Sequence, residues 1–337
     1  MSARVGSAIR VPISVLLIGF LIGMVAACGG GAQPDQLRGG GSGAGFPVAV
    51  TGKFGTTTVP EKPLRVVAMS WTDADFALAL GVTPVGIARA PDASSGLEPW
   101  TAAALRDAKP TLFSTVGSDP IEQVAGLAPD LILATKDYNL GQSYPQLSQI
   151  APVVTYLGGP NTDSWQQALG NVAAALGLAD QGKKLTADTE AQIAAQKVAH
   201  PELTGKTFTY VVAPTAAGVY TVNSDQDVSA KLLAGLGMRL SPKVLTLPTS
   251  GLPGRAQLSL ENLSVLDADI ILVAAASQQD LDAFAKNPVA ESLGAVRRGA
   301  YVPFNYTTAV SIAFPSTLSL QWAMTQVVPK LSAAAKA

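Results

Sequence analysis

The strongest constraint on the fold is a string that occurs twice. Ile121-Glu122-Gln123-Val124-Ala125-Gly126-Leu127-Ala128-Pro129-Asp130-Leu131-Ile132-Leu133-Ala134 reads as a short helix, a turn and a buried strand. Leu260-Glu261-Asn262-Leu263-Ser264-Val265-Leu266-Asp267-Ala268-Asp269-Ile270-Ile271-Leu272-Val273 repeats the pattern without a gap, Glu261 standing 139 residues after Glu122. A looser echo pairs Val66-Val67-Ala68 and the helix ending Leu80-Gly81-Val82 with Val211-Val212-Ala213 and the helix ending Leu236-Gly237-Met238. The expected fold class is therefore α/β, with two similar lobes and a cleft between them.

The connection between the copies is Asp163 to Ala199. Asp163 is placed to cap a helix whose Trp165, Ala168, Leu169, Val172, Ala173 and Leu176 share one face. After Gly177 the pattern restarts near Asp180 and runs to Pro201, Ala-rich and weakly apolar, as suits a strut. The expected boundaries are 46–160 for the first lobe, 161–200 for the helical connection and 201–337 for the second lobe.

Arg4 and Arg10 precede an apolar run from Val11 to Ala27, and Val25-Ala26-Ala27 leads into Cys28. That is the layout of a secretory signal over residues 1–27, the alternative being an uncleaved membrane anchor. Cys28 is the one cysteine of the chain, so an internal disulfide is impossible. Residues 28–45 are mostly Gly, Ala, Ser and polar side chains, a composition that reads as a flexible leash. The formal net charge is −1, with 14% charged residues and no basic stripe, so nucleic acid is not an expected partner.

Ligands of α/β sheets sit outside the carboxyl ends of the strands. In the first half three strand ends offer Trp71, Arg89 and Tyr138. Mirror logic offers Tyr220 after a strand, Arg255 within the long Pro/Gly loop Ser241 to Gln257, and Tyr306 after a late strand from the second half. Guanidinium groups suit paired oxygen acceptors, which makes Arg89 and Arg255 candidate anion contacts. Asp119-Pro120-Ile121-Glu122 has the form of a capping box with proline at the first helical position, and Glu261 falls in the first turn of its own helix.

Val59-Pro60-Glu61-Lys62-Pro63-Leu64-Arg65-Val66-Val67-Ala68, Ala79-Leu80-Gly81-Val82-Thr83-Pro84-Val85-Gly86, Leu127-Ala128-Pro129-Asp130-Leu131-Ile132-Leu133 and Pro288 to Arg298 together resemble the iron-siderophore (FecB-like) solute-binding proteins. The resemblance spans roughly Val50 to Lys330. It implies two α/β lobes joined by one long helix (the class III periplasmic binding architecture), little hinge closure, and delivery of a ferric siderophore to the permease of an ABC transporter. It also implies that Glu122 and Glu261 dock onto that permease. Val-Ala-Ala-Cys looks like a bacterial lipobox, which implies acyl lipid (palmitate) on Cys28 and a monomer tethered on the extracytoplasmic side of the membrane. The loop Gly117-Ser118-Asp119-Pro120 lacks the arginine that some hydroxamate-binding members carry there, so their coordination scheme does not transfer.

Other functions fit less well. His200 is the one histidine and lies beside Pro201, so a Ser-His-Asp triad at the cleft is not expected, and no Gly-Lys-Ser/Thr phosphate loop is present. No intrinsic metal or cofactor is expected, because a bare transition ion needs several His, Cys or carboxylate ligands. Haem or a corrinoid, contacted by Tyr138, Tyr220 or Tyr306, is the alternative cargo. An envelope scaffold with an unused cleft is the alternative class.

Overall fold

The computed structural model describes residues 45–337 except 92, 216, 217 and 253. The signal segment, Cys28 and the leash up to residue 44 lie outside the described residues. Among the described residues no helix is long and apolar enough to cross a membrane.

The body opens with an antiparallel hairpin, β1 (Val48–Gly52) and β2 (Gly55–Val59). There follow β3 (Val66–Ala68), α1 (Trp71–Ala79), β4 (Gly86–Ala88), α2 (Pro99–Leu105), β5 (Thr111–Phe113) and α3 (Ile121–Gly126). The first half closes with β6 (Leu131–Ala134), α4 (Leu140–Leu147) and β7 (Val153–Thr155). Strands β3 to β7 form one parallel sheet in the order β5-β4-β3-β6-β7. Every residue of β3 and β6 is buried, which is what burial on both faces requires. The strand expected over Gly81 to Ala88 pairs only from Gly86; Gly81 takes a φ of +79° and turns the chain out of α1 instead.

Helices α5 (Trp165–Ala175) and α6 (Ala179–Ala199) make the crossing. Ser164, not Asp163, caps α5, and it does so through a full capping box with Gln167. Asp163 instead accepts the N–H groups of Leu157 and Gly158 and folds the preceding loop. Helix α6 buries only Gly182 and Thr189, in keeping with a strut.

The second half runs β8 (Thr207–Thr215), β9 (Gly218–Val222), α7 (Val228–Gly235), β10 (Arg239–Leu240), α8 (Pro242–Leu245) and β11 (Arg255–Leu258). A 3₁₀ segment, Leu260–Leu266, then leads into β12 (Ile270–Ala274), α9 (Gln278–Ala285), α10 (Pro288–Ser292), α11 (Gly294–Arg297), β13 (Tyr301–Phe304), α12 (Tyr306–Ala313) and α13 (Thr317–Lys336). The sheet order is β11-β9-β8-β12-β13, with β10 beside β8. The repeated string has the same place in both sheets: β6 lies between β3 and β7, and β12 between β8 and β13, all parallel. The halves differ where β8 turns straight back as antiparallel β9, an insertion with no counterpart after β3.

Helix α13 belongs to both halves. It packs on α12, β12 and β13 and also on α1, α2 and α6. Trp322 meets Trp100 of α2 with ring centroids 5.3 Å apart. Ser316, which caps α13, donates to Asp75 of α1 at 2.7 Å. One apolar cluster accordingly runs from Phe76 and Leu169 through Leu320 and Val327 to Phe208 and Leu272.

Candidate functional site

The carboxyl end of β3 passes into α1 through Ser70, whose hydroxyl caps the helix by accepting from the Asp73 amide. Asp73 is fully buried and takes four donors: the Ser70 hydroxyl, the Thr135 hydroxyl and amide, and the Lys136 amide. Burial outweighs these donors and raises its pKa from the ordinary carboxylate value. The result is a clamp that fixes the segment after β6, residues 135–138, against the start of α1.

That segment supplies Lys136 and Tyr138. The Lys136 ammonium donates to the carbonyls of Pro160 at 3.1 Å and Asp163 at 2.7 Å, and its burial lowers its pKa against the pull of Asp73 and Asp163. The Tyr138 hydroxyl is hydrogen-bonded to the Asn161 side-chain carbonyl, and 54% of the residue stays exposed. Across the gap, Asp227 caps α7 by accepting from Ser229 and Ala230 and pairs with Arg255 at 2.6 Å. Arg255 opens β11, in a segment expected to be loop, because it pairs in register with Val222.

These groups line one cavity of about 470 Å³ between the halves. Its walls are Thr72, Lys136 and Tyr138 from the first half, 160–162 from the loop before α5, and Ser224, Gln226, Asp227, Arg255 and Phe314 among others from the second. Two cations thus face one carboxylate, itself paired to one of them. The cavity offers donors and an aromatic edge to an anionic, oxygen-bearing ligand. Among the described residues there is no group of three or more His, Cys, Asp or Glu placed to hold a metal ion.

Of the expected contacts, Tyr138 and Arg255 line this cavity. Trp71 is the first residue of α1 and meets Phe314, a wall residue, edge to face at 5.5 Å; its buried indole N–H has no hydrogen-bond partner. Arg89 is exposed and lies over Gly96, where an added Cβ would come within 2.7 Å of its Nε. Tyr220 is in mid-strand, opposite Val212 and Gln257, because β9 returns along β8. Tyr306 is half-buried at the start of α12. Arg89, Tyr220 and Tyr306 are not among the residues that line the cavity. Lys136, Asp227 and Phe314 were not expected at the site. Lys136 follows a buried strand directly and Asp227 precedes an apolar helix, so both carried a positional signal.

Glu122 and Glu261 are both exposed, in the first turns of α3 and of the 3₁₀ segment that lead into β6 and β12. The Ser259 hydroxyl holds the Glu261 carboxyl below its ordinary pKa. The expected capping box at Asp119 does not form: Pro120 is the cap residue, with no side-chain bond. Asp119 turns instead towards Asn139 and the buried Asp137.

Comparisons with known proteins agree with this architecture. The lipoprotein YhfQ of Bacillus subtilis, a putative ABC transporter substrate-binding protein, is 28% identical over 83% of this chain and 84% of its own. The ferric enterobactin-binding periplasmic protein FepB of Escherichia coli is 29% identical over 75% and 82%. A periplasmic solute-binding protein of Mycobacterium smegmatis superposes with a TM-score of 0.76 at 28% identity, covering 86% of this chain and 98% of its own. PiaA of Streptococcus pneumoniae, solved with ferrichrome, gives 0.73 at 28% identity, covering 86% and 99%. The pattern described as periplasmic binding protein matches residues 66–302, and the chain belongs to that family.

Proposed function

We propose that this chain is the substrate-binding lipoprotein of an ABC importer and that it captures a ferric siderophore in the cleft between its halves. The observation that carries the reading is the lining of the cleft, where Lys136 and Arg255 bring two cationic groups to anionic oxygens and Tyr138 adds an aromatic face. Such a site suits iron that arrives inside its own chelator. The names of the relatives support the same class, since FepB is named for ferric enterobactin, YfmC of B. subtilis for Fe(3+)-citrate, and PiaA was solved with ferrichrome. Haem finds no comparable support, because of the three candidate tyrosines only Tyr138 lines the cavity, and its hydroxyl already bonds Asn161.

Two further assignments belong to this reading. Lipid on Cys28 holds the protein at the outer side of the membrane, in line with the lipoprotein names of YhfQ and YfiY. Glu122 and Glu261 engage the two halves of the permease; both are exposed and occupy matched positions ahead of β6 and β12.

The test is tryptophan fluorescence of a soluble form starting after Cys28, titrated with ferric hydroxamate, catecholate and citrate complexes and with haem. Trp71→Phe serves as control, since Trp71 abuts the cavity wall. Saturable quenching by one ferric class, reduced in the control, is expected. A flat response to every complex rejects the reading, and quenching by haem alone replaces the cargo.

A further inference from the structure

We propose that the binding site extends beyond the cleft into a second chamber with an apolar floor, and that the protein therefore takes amphiphilic ferric chelates, with the iron-bearing head in the cleft and an aliphatic arm on that floor. The proposal rests on the chelate reading above and specifies its ligand.

The chamber, about 550 Å³, lies between the crossing helices α5 and α6, helix α7 and the start of α13. Trp165, Ile193, Val228, Leu232, Pro315 and Leu320 give it an apolar floor, while Ser164, Gln166, Gln167 and the residues shared with the cleft add polar groups. Trp165, Leu232 and Leu320 are each less than a tenth exposed, so they are core residues that keep one face open to the chamber. Its charged members, Glu190, Lys197 and Lys231, are exposed residues of α6 and α7 whose heads stay in water. At one end the wall is tight: a Cβ on Gly235 of α7 would meet Ile193 of α6 at 3.1 Å.

Continuity with the cleft decides what the chamber holds. Asn161, Thr162, Gln226, Val228 and Pro315 line both spaces. A ligand seated against Lys136 and Arg255 therefore reaches the chamber along one unbroken wall. The ion pair Asp227–Arg255 and Lys136 lie in the cleft alone, and the indole of Trp165 with Ile193, Leu232 and Leu320 in the chamber alone. Water against that floor is displaced favourably by an alkyl chain and not by a second polar head.

The experiment uses the full chain in lipid nanodiscs, with empty discs measuring partition of the ligand into lipid. The probes are ferric trihydroxamate and tris-catecholate heads, each bare and each carrying an octanoyl amide. With burial of several methylenes, the octanoyl form of the head that binds is expected to bind about tenfold tighter or more. Ala194 is exposed on α6 and lines the chamber, so Ala194→Phe fills the space without disturbing the core, and Ala194→Asp makes it polar. Both variants are expected to remove the octanoyl advantage and leave the bare head unchanged. Equal binding of octanoyl and bare forms, or an advantage that survives both variants, overturns the extension while leaving the chelate reading in place. Failure of every head to bind overturns the chelate reading itself.

Discussion

Asp75 allows a stability effect to be worked through from geometry to assay. Its carboxylate is 1% exposed and accepts from Trp100 Nε1 at 2.8 Å, Thr101 Oγ1 at 2.6 Å and Ser316 Oγ at 2.7 Å. Burial outweighs those donors and pushes its pKa up from 3.8 to about 6. At ~1.4 kcal/mol per pH unit, that rise corresponds to about 3 kcal/mol between the two protonation states. Because the folded value lies above the unfolded one, the contribution is whole below about pH 4 and is lost as pH climbs through about 6. Asp75→Asn keeps the shape without the charge. Its amide oxygen accepts from Trp100 and Ser316, and the Thr101 hydroxyl turns to accept from the new NH₂ group. The variant should therefore gain on the parent protein as pH rises, by about 3 kcal/mol between pH 4 and 7.5. Asp75→Ala instead strands the indole N–H and should cost about 1–3 kcal/mol at every pH. Urea unfolding of the soluble form at stepped pH reads both differences, and Asp73 and Asp137, being common to all three proteins, cancel. A gap between Asn and Asp that is constant with pH, or that widens towards acid, refutes the reasoning.

Three other outcomes follow from the site. Arg255→Ala should lower affinity for a ferric chelate about tenfold or more and, by leaving the Asp227 carboxylate unpaired, cost on the order of 2 kcal/mol of stability; Arg255→Lys should restore the stability better than the affinity, as titration and unfolding of both would show. Glu122→Ala combined with Glu261→Ala should abolish uptake of radiolabelled iron in cells while chelate affinity in vitro stays unchanged, and normal uptake by the double variant would remove the docking role. Burial, and then the nearby Asp119 carboxylate, raise the pKa of Asp137, so its share of stability falls as pH rises; Asp137→Asn should flatten the alkaline decline in melting temperature.

The fold was legible because the repeated string fixes two equivalent central strands, and β6 and β12 do hold equivalent places. Their continuous apolar runs could only be buried on both sides. The insertion of β9 was not legible, since a strand that doubles back differs from a strand followed by loop only in how the ladder is completed. That one difference moved Tyr220 from a strand end to mid-strand. Tyr138 was chosen for its place after a strand and Arg255, within a Pro/Gly loop, by mirror logic, and both line the cavity, whereas Lys136 was passed over although it directly follows Thr135 at the end of the same buried run. What selects Lys136 is the Asp73 clamp, a contact across 63 residues of sequence that no local pattern announces. The same holds for Phe314, which reaches the cleft because α12 and α13 return across it.

Helix α13 also sets the order in which the molecule can be finished. Asp75, near the start of the folded body, takes one of its three donors from Ser316, 241 residues later. Until the final stretch of chain arrives, the flanks of α1 and α2 stay open and the carboxylate has two of its three donors. Contacts of such sequence separation are slow to form, and a domain that depends on them matures late. The two halves are thus locked together by the element made last, the twenty residues of α13.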